Sequence, residues 1–248
     1  MMKDRIVLVT GASRGIGASI ARRLAAQGAA VAVNYLKNES AALQVIEEIS
    51  QSGGKAMAIQ ADVRDEIQVQ GMVAEITDRF GPVDTLISNA AIDFPIKPFH
   101  EIRWPEFEAK LTGELRSTFF CVQAVLPSMI QRRSGCIVAI SSTLSRNPGP
   151  GFSAHSTAKS GLDALMKSLA LELGQFGIRV NVVAPGLTNT DATAFLPAAQ
   201  KEMMARMTPM RRNGEPDDVA GAVLMIASDQ CRFVSGNYLP VCGGMLMI

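Results

Sequence analysis

Ile6-Val-Leu-Val-Thr-Gly-Ala-Ser-Arg-Gly-Ile-Gly17 is the stretch that decides the fold. Ile6–Thr10 is a short, largely apolar run rich in β-branched residues, which favour a strand. Gly15–Gln27 then changes period, placing Ile16, Ile20 and Leu24 on one helical face. Between them lies Thr10-Gly-Ala-Ser-Arg-Gly-Ile-Gly17, whose glycines let backbone approach a ligand closely. A helix that starts there offers unpaired N–H groups and a favourable dipole to an anion such as a pyrophosphate. A glycine pattern is informative in this setting, between a strand and a helix at the start of a βαβ unit.

The same alternation continues to the C-terminus. Ala30–Tyr35, Lys55–Gln60, Val83–Ser88, Gly135–Ser141, Ile178–Val183 and Tyr238–Val241 read as further strands, and Ser40–Ser50 as a second helix. Two long helices are expected at about Glu106–Arg132 and Ser153–Gln175, with Trp104 and His100 upstream of the first. Near-continuous apolar strands between helices imply a parallel sheet covered on both faces. The expected fold is α/β: one Rossmann-type doubly wound domain with about seven strands. No linker, repeat or low-complexity tract divides the chain. Leu187–Arg212, rich in Met, Thr and Ala, is the longest candidate for an irregular or mobile segment.

Composition narrows the function classes. With 48% hydrophobic and 19% charged residues, the chain has ample core material for one domain. A net charge of +1 leaves no electrostatic footprint for nucleic acid or an anionic membrane. No apolar run approaches the roughly 18 residues of a membrane span. The N-terminus reads as a first strand rather than a signal peptide. Cys121, Cys136, Cys231 and Cys242 are scattered, with no CxxC and no histidine cluster. Free thiols in a cytoplasmic protein fit them better than disulfides or a metal site.

The glycine spacing TGxxxGxG, at Gly11, Gly15 and Gly17, resembles that of the short-chain dehydrogenase/reductase family, and the resemblance runs over nearly the whole chain. Asp62-Val63 is similar to the family's adenine-contacting pair, and Asn89-Ala90-Ala91 to its NAG motif. Pro185-Gly186 resembles the turn at the nicotinamide end, followed by Thr188 and Thr190. Val241-Cys-Gly-Gly-Met245 resembles the end of ketoacyl reductases, with Cys242 where an aspartate is usual. The resemblance implies a nicotinamide cofactor held by Thr10, Gly11, Ser13, Arg14, Gly15, Ile16 and Gly17, then by Asp62, Val63, Asn89, Ala90, Lys159, Pro185, Gly186, Thr188 and Thr190. Asn34, Tyr35 and Lys37 mark the end of strand two, where an acid would bind the ribose 2′-hydroxyl and repel a 2′-phosphate. No acid occurs there until Glu39, and Arg14 supplies a guanidinium suited to phosphate, so NADP(H) is the expected cofactor.

Catalysis is where the chain departs from the pattern. The family uses a serine that orients the substrate carbonyl and a tyrosine that transfers the proton. A lysine lowers the tyrosine pKa and holds the nicotinamide ribose, and an asparagine supports a water-linked relay. Ser142 and Lys159 occupy the first and third positions, but His155 stands where the tyrosine belongs and Glu114 where the asparagine belongs. The i, i+4 spacing puts His155 and Lys159 on one helical face. An imidazole can act as a general acid, a nearby ammonium should lower its pKa, and Glu114 could compensate by pairing with Lys159 or His155. The only tyrosines, Tyr35 and Tyr238, lie in or near other strands.

Two main readings follow. One is a reductase with an unusual Ser–His–Lys–Glu site, acting on an acyl chain or other apolar ketone such as a 3-oxoacyl thioester. The other is a cofactor-binding subunit of impaired activity that assembles with an active paralogue. Altered chemistry and a nucleotide-sensing regulator are further alternatives. The methionine-rich segment containing Phe195, Leu196, Met203, Met204, Met207 and Met210 resembles a lid over the substrate. Arg133 matches a carrier-protein-binding arginine, while the second such position holds Phe176. The resemblance also implies a homotetramer or dimer through the two long helices and the C-terminal strand. The apolar ending Met245-Leu-Met-Ile248 fits that assembly.

Overall fold

The computed structural model describes all 248 residues. Seven strands form one parallel sheet: β1 (Ile6–Val9), β2 (Ala30–Tyr35), β3 (Lys55–Gln60), β4 (Thr85–Ser88), β5 (Gly135–Ile140), β6 (Ile178–Pro185) and β7 (Tyr238–Val241). Their spatial order is β3-β2-β1-β4-β5-β6-β7. The order reverses between β1 and β4, which opens a crevice at the C-terminal strand ends, where this architecture binds ligands. The chain has seven helices, α1 (Gly15–Ala25), α2 (Glu39–Gln51), α3 (Glu66–Phe80), α4 (Trp104–Arg132), α5 (Ser153–Leu173), α6 (Ala198–Met207) and α7 (Pro216–Ala227), and all but α6 cover the sheet.

The strands are apolar on both faces because both faces are covered. Val7, Val9, Val31, Val33, Val138 and Ile140 join one core with Ile20 and Leu24 of α1, Val45 of α2 and Val223 of α7. The intervening Leu8, Ala32, Ile137 and Ala139 point into a second core with Ile76 of α3, Val125 of α4 and Leu162 of α5. The period-two alternation thus divides one strand between two layers.

Several boundaries shift from the sequence expectation. β6 continues to Pro185, carrying the chain straight to the crevice. Trp104 is the first residue of α4 rather than part of the approach to it. Pro105 suits the first helical turn, and Glu106 accepts a hydrogen bond from the Arg103 backbone N–H at 2.9 Å. Within Leu187–Arg212, Ala198–Met207 forms α6 with no buried residue, consistent with its Ala, Gln, Lys, Glu and Met content. No helix is long and apolar enough to cross a membrane.

Candidate active site

Glycine conformation shapes the floor of the crevice. Gly11 has φ +60° and Gly15 φ +57°, both in the left-handed region. A Cβ on Gly17 would lie 2.5 Å from the Asn89 amide nitrogen and 2.6 Å from the Gly11 carbonyl oxygen. Arg14 precedes α1 without a side-chain cap, so the first-turn N–H groups of that helix remain available to an anion. A narrow backbone cradle at an uncapped helix start fits the pyrophosphate of a dinucleotide.

Many of the expected cofactor residues help to build this cradle. The Thr10 hydroxyl accepts from the Asn89 N–H at 2.9 Å and the Ala90 N–H at 3.0 Å, joining β1 to β4. The Asn89 amide donates to the carbonyls of Thr10 and Gly11. Asn34 is 2% exposed; its Oδ1 accepts from the Gly11 N–H at 3.1 Å and its Nδ2 donates to the Ala61 carbonyl at 3.1 Å. It fastens the glycine turn to β2. Tyr35 and Val63 bury their side chains in the two cores. Ile16 packs against the first core, Ser13 is partly exposed, and Arg14 and Lys37 are exposed.

Asp62 pairs both carboxylate oxygens with Arg64, at 2.9 and 2.7 Å, which holds its pKa below the usual carboxylate range. At the far end of the crevice, the Gly186 N–H donates to the Val241 carbonyl at 3.0 Å after Pro185 ends β6. A Cβ on Gly186 would meet that of Cys242 at 2.9 Å. Thr188 is buried, its hydroxyl on the Gly186 carbonyl, and the Thr190 methyl sits 3.6 Å from the Cβ position of Gly15. This segment therefore closes against the glycine turn.

Ser142 follows β5, its hydroxyl accepting from the Leu144 N–H at 3.2 Å. Below it, the Tyr238 hydroxyl donates to the Ser142 carbonyl at 3.0 Å and lies 3.1 Å from the Ser145 hydroxyl. Tyr238 is thus committed to supporting the serine turn, and burial raises its pKa. Lys159 is clamped: its Nζ donates to the Ile140 carbonyl at 2.7 Å and to Glu114 Oε1 at 2.6 Å.

Glu114 is 2% exposed and bridges two cations, because Lys110 Nζ donates to its Oε2 at 2.6 Å. Lys110, itself 1% exposed, also donates to the Ile92 carbonyl at 2.9 Å. Sequence reasoning missed this lysine, although its i, i+4 relation to Glu114 was a usable signal. Glu114 makes the expected contact with Lys159 but no hydrogen bond to His155.

His155 instead lies in an aromatic slot. Its ring stacks on Phe94, with centroids 4.5 Å apart and planes at 25°, and meets Phe152 edge-on at 6.4 Å. Its Nδ1 is buried without a hydrogen-bond partner. Burial, then the Lys110 and Lys159 ammoniums, push its pKa down to about 3, against the opposing pull of Glu114. The imidazole is therefore neutral at physiological pH. Arg133, in a left-handed backbone conformation, donates to the Gln175 carbonyl at 2.6 Å, and Phe176 packs against the second core.

A doubly wound parallel sheet with a dinucleotide cradle and a serine and lysine beside it defines a nicotinamide-dependent oxidoreductase class. The family model described as enoyl-(acyl carrier protein) reductase matches residues 11–246. The chain belongs to the short-chain dehydrogenase/reductase family. It is 39% identical, over the full length of both chains, to 3-oxoacyl-(acyl-carrier-protein) reductase FabG of Staphylococcus aureus. It is 36% identical to (2S)-((R)-hydroxy(phenyl)methyl)succinyl-CoA dehydrogenase subunit BbsD of Thauera aromatica, covering 98% of this chain and 97% of that one. Among solved structures, a 7α-hydroxysteroid dehydrogenase complexed with NADH and 7-oxo glycochenodeoxycholic acid superposes with TM-score 0.93 at 34% identity, covering 98% of this chain and 94% of that one.

Proposed function

We propose that the protein is an NADP(H)-dependent reductase of ketones, with 3-oxoacyl thioesters as the substrate class, using an atypical Ser142–His155–Lys159–Glu114 site. The observation that carries this reading is the clamp on Lys159, whose ammonium is held by Glu114 and by the Ile140 carbonyl, two residues before Ser142. The glycine cradle, Thr188 and Thr190 would hold the cofactor, which supplies the hydride when bound. Asn34 points inward and Arg14 and Lys37 are exposed, so the β2 end offers a 2′-phosphate cations and no acid.

In this reading the Ser142 hydroxyl and a neutral His155 N–H donate to the substrate carbonyl oxygen as negative charge develops there. Lys159 has one N–H left after its two hydrogen bonds, which serves the nicotinamide ribose. Because His155 is neutral, it stabilises the oxyanion by hydrogen bonding, and the alkoxide left by hydride addition takes its proton from water rather than from an imidazolium. Loss of one general acid typically costs about 10²–10⁴-fold, while positioning of the reactants is retained. A slow reductase is the expected result.

The neutral histidine also favours a second reading, a cofactor-binding subunit that assembles with an active paralogue; a relative whose name is that of a dehydrogenase subunit suits it. Exposed Phe119, Leu171, Phe233, Met247 and Ile248 support assembly as a dimer or tetramer in either case. The deciding experiment follows NADPH consumption with a short 3-oxoacyl thioester, beside His155→Tyr and Lys159→Ala. Wild-type turnover that is lost in Lys159→Ala supports the reductase. NADPH binding without wild-type turnover, with activity appearing in His155→Tyr, overturns it in favour of the subunit.

A further inference from the structure

We propose that Lys110 is a positioning residue of this site, setting both departed positions at once: it fixes Lys159 through Glu114 and His155 through Phe94. The inference deepens the reductase reading and rests on it for its kinetic consequences alone.

All directions of the Lys110 ammonium are used. One N–H meets Glu114 Oε2 at 2.6 Å and another the Ile92 carbonyl at 2.9 Å. The Phe94 ring lies beneath the charge, with its centroid 5.0 Å from Nζ. The opposite arm of Glu114 holds Lys159, and the His155 ring stacks on Phe94. Moving this one ammonium would therefore release the loop carrying Ile92 and Phe94, the carboxylate that holds Lys159 and the surface that orients His155.

The charges facing the imidazole come from two helices. Lys110 and Glu114 lie on α4 and Lys159 on α5, while Asp93, in the loop after β4, acts on Lys110. Beside the imidazole, two buried ammoniums outnumber the one buried carboxylate, while Asp93 is exposed. That excess favours an oxyanion on the substrate and disfavours a charged imidazole. Burial is the first cause that keeps the ring neutral, and the Lys110 ammonium follows it, ahead of Lys159.

The test uses the fact that the chain has only two histidines, His100 and His155. Proton–carbon NMR of the ring C–H groups, assigned with a His100→Gln variant, follows the ionisation of His155 without any turnover. In Lys110→Met the apparent pKa of His155 should rise by about 1 pH unit or more, as expected on removing a like charge. Lys110→Arg, which keeps the charge, should hold it near the wild-type value. Should Lys110→Met not fold, Lys110→Gln removes the charge while keeping a donor. In active protein kcat should fall about 10-fold in Lys110→Met, with the KM for NADPH changed less than about twofold. A folded uncharged variant whose His155 titration and kcat both match the wild type would overturn the proposal. Absence of wild-type turnover would count against the reductase reading alone, since the titration still decides the role of Lys110.

Discussion

Glu114→Gln should destabilise the fold through charge alone, because the substitution keeps the side-chain volume. It leaves two ammoniums, on side chains 1% and 7% exposed, facing each other without a counter-charge. Removing one partner from a buried ion pair typically costs about 3–5 kcal/mol. The ionisation of Glu114 leads to a similar figure. Burial alone would raise its pKa, but Lys159 and Lys110 outweigh burial and hold it at about 2, below its ordinary 4.5. That difference corresponds to roughly 3 kcal/mol of preference for the ionised form in the folded state.

At pH 7 the variant should lose about 4 kcal/mol, or about 8–16 °C in Tm for a domain of this size. The folded-state pKa is depressed, so this stabilisation is fully present above about pH 4.5 and is lost as pH falls toward 2. The gap between wild type and variant should narrow over that acid window. It should narrow again in alkali, as burial lowers the Lys110 pKa and that ammonium sheds its proton in the folded variant before the unfolded chain does. Calorimetric melting at fixed protomer concentration across pH measures both limbs. A Tm loss below about 3 °C at pH 7, with no acid narrowing, would refute the argument that the carboxylate offsets two buried cations.

Gly17→Ala should abolish measurable NADPH binding by isothermal titration, since its Cβ would press on Asn89 and the Gly11 carbonyl at 2.5 and 2.6 Å. Arg14→Ala should weaken NADPH binding by about 10–100-fold, the worth of a charge-assisted hydrogen bond, and leave NADH binding within about threefold. An equal loss for both cofactors would remove Arg14 from the 2′-phosphate site. Tyr238→Phe should cost about 1 kcal/mol in urea denaturation and lower kcat severalfold at unchanged NADPH affinity, because the Ser142 carbonyl loses its donor.

The fold was legible because its signals are local and repeated. Glycine spacing, strand periodicity and the alternation of elements each point to one architecture. Ser142, Lys159, His155 and Glu114 could be located because they occupy fixed intervals within that frame. Their partners were harder to read. Lys110 sits one turn before Glu114, yet many surface helices carry the same lysine–glutamate spacing, and only packing shows that this pair is buried. Phe94 lies in a loop whose path no short-range rule specifies. Asn34 occupies a position associated with cofactor choice, but its side chain turns inward to satisfy the Gly11 N–H, a tertiary contact between residues 23 positions apart. The start of α4 at Trp104 is set by Pro105 in the first turn and the Glu106 carboxylate on the Arg103 N–H, a local signal that the apolar periodicity of the helix does not contain.

The inward turn of Asn34 separates two tasks that one strand end might have combined. Holding the glycine turn falls to a buried amide, while on the proposed reading choosing between dinucleotides would be left to the exposed Arg14 and Lys37. On the proposed NADP(H) reading, a change at Lys37 or Arg14 would alter which coenzyme pool the protein draws on without touching the Asn34 contact that holds the glycine turn. Redox coupling would then be open to adjustment by selection or by engineering, one exposed residue at a time, over an unaltered scaffold.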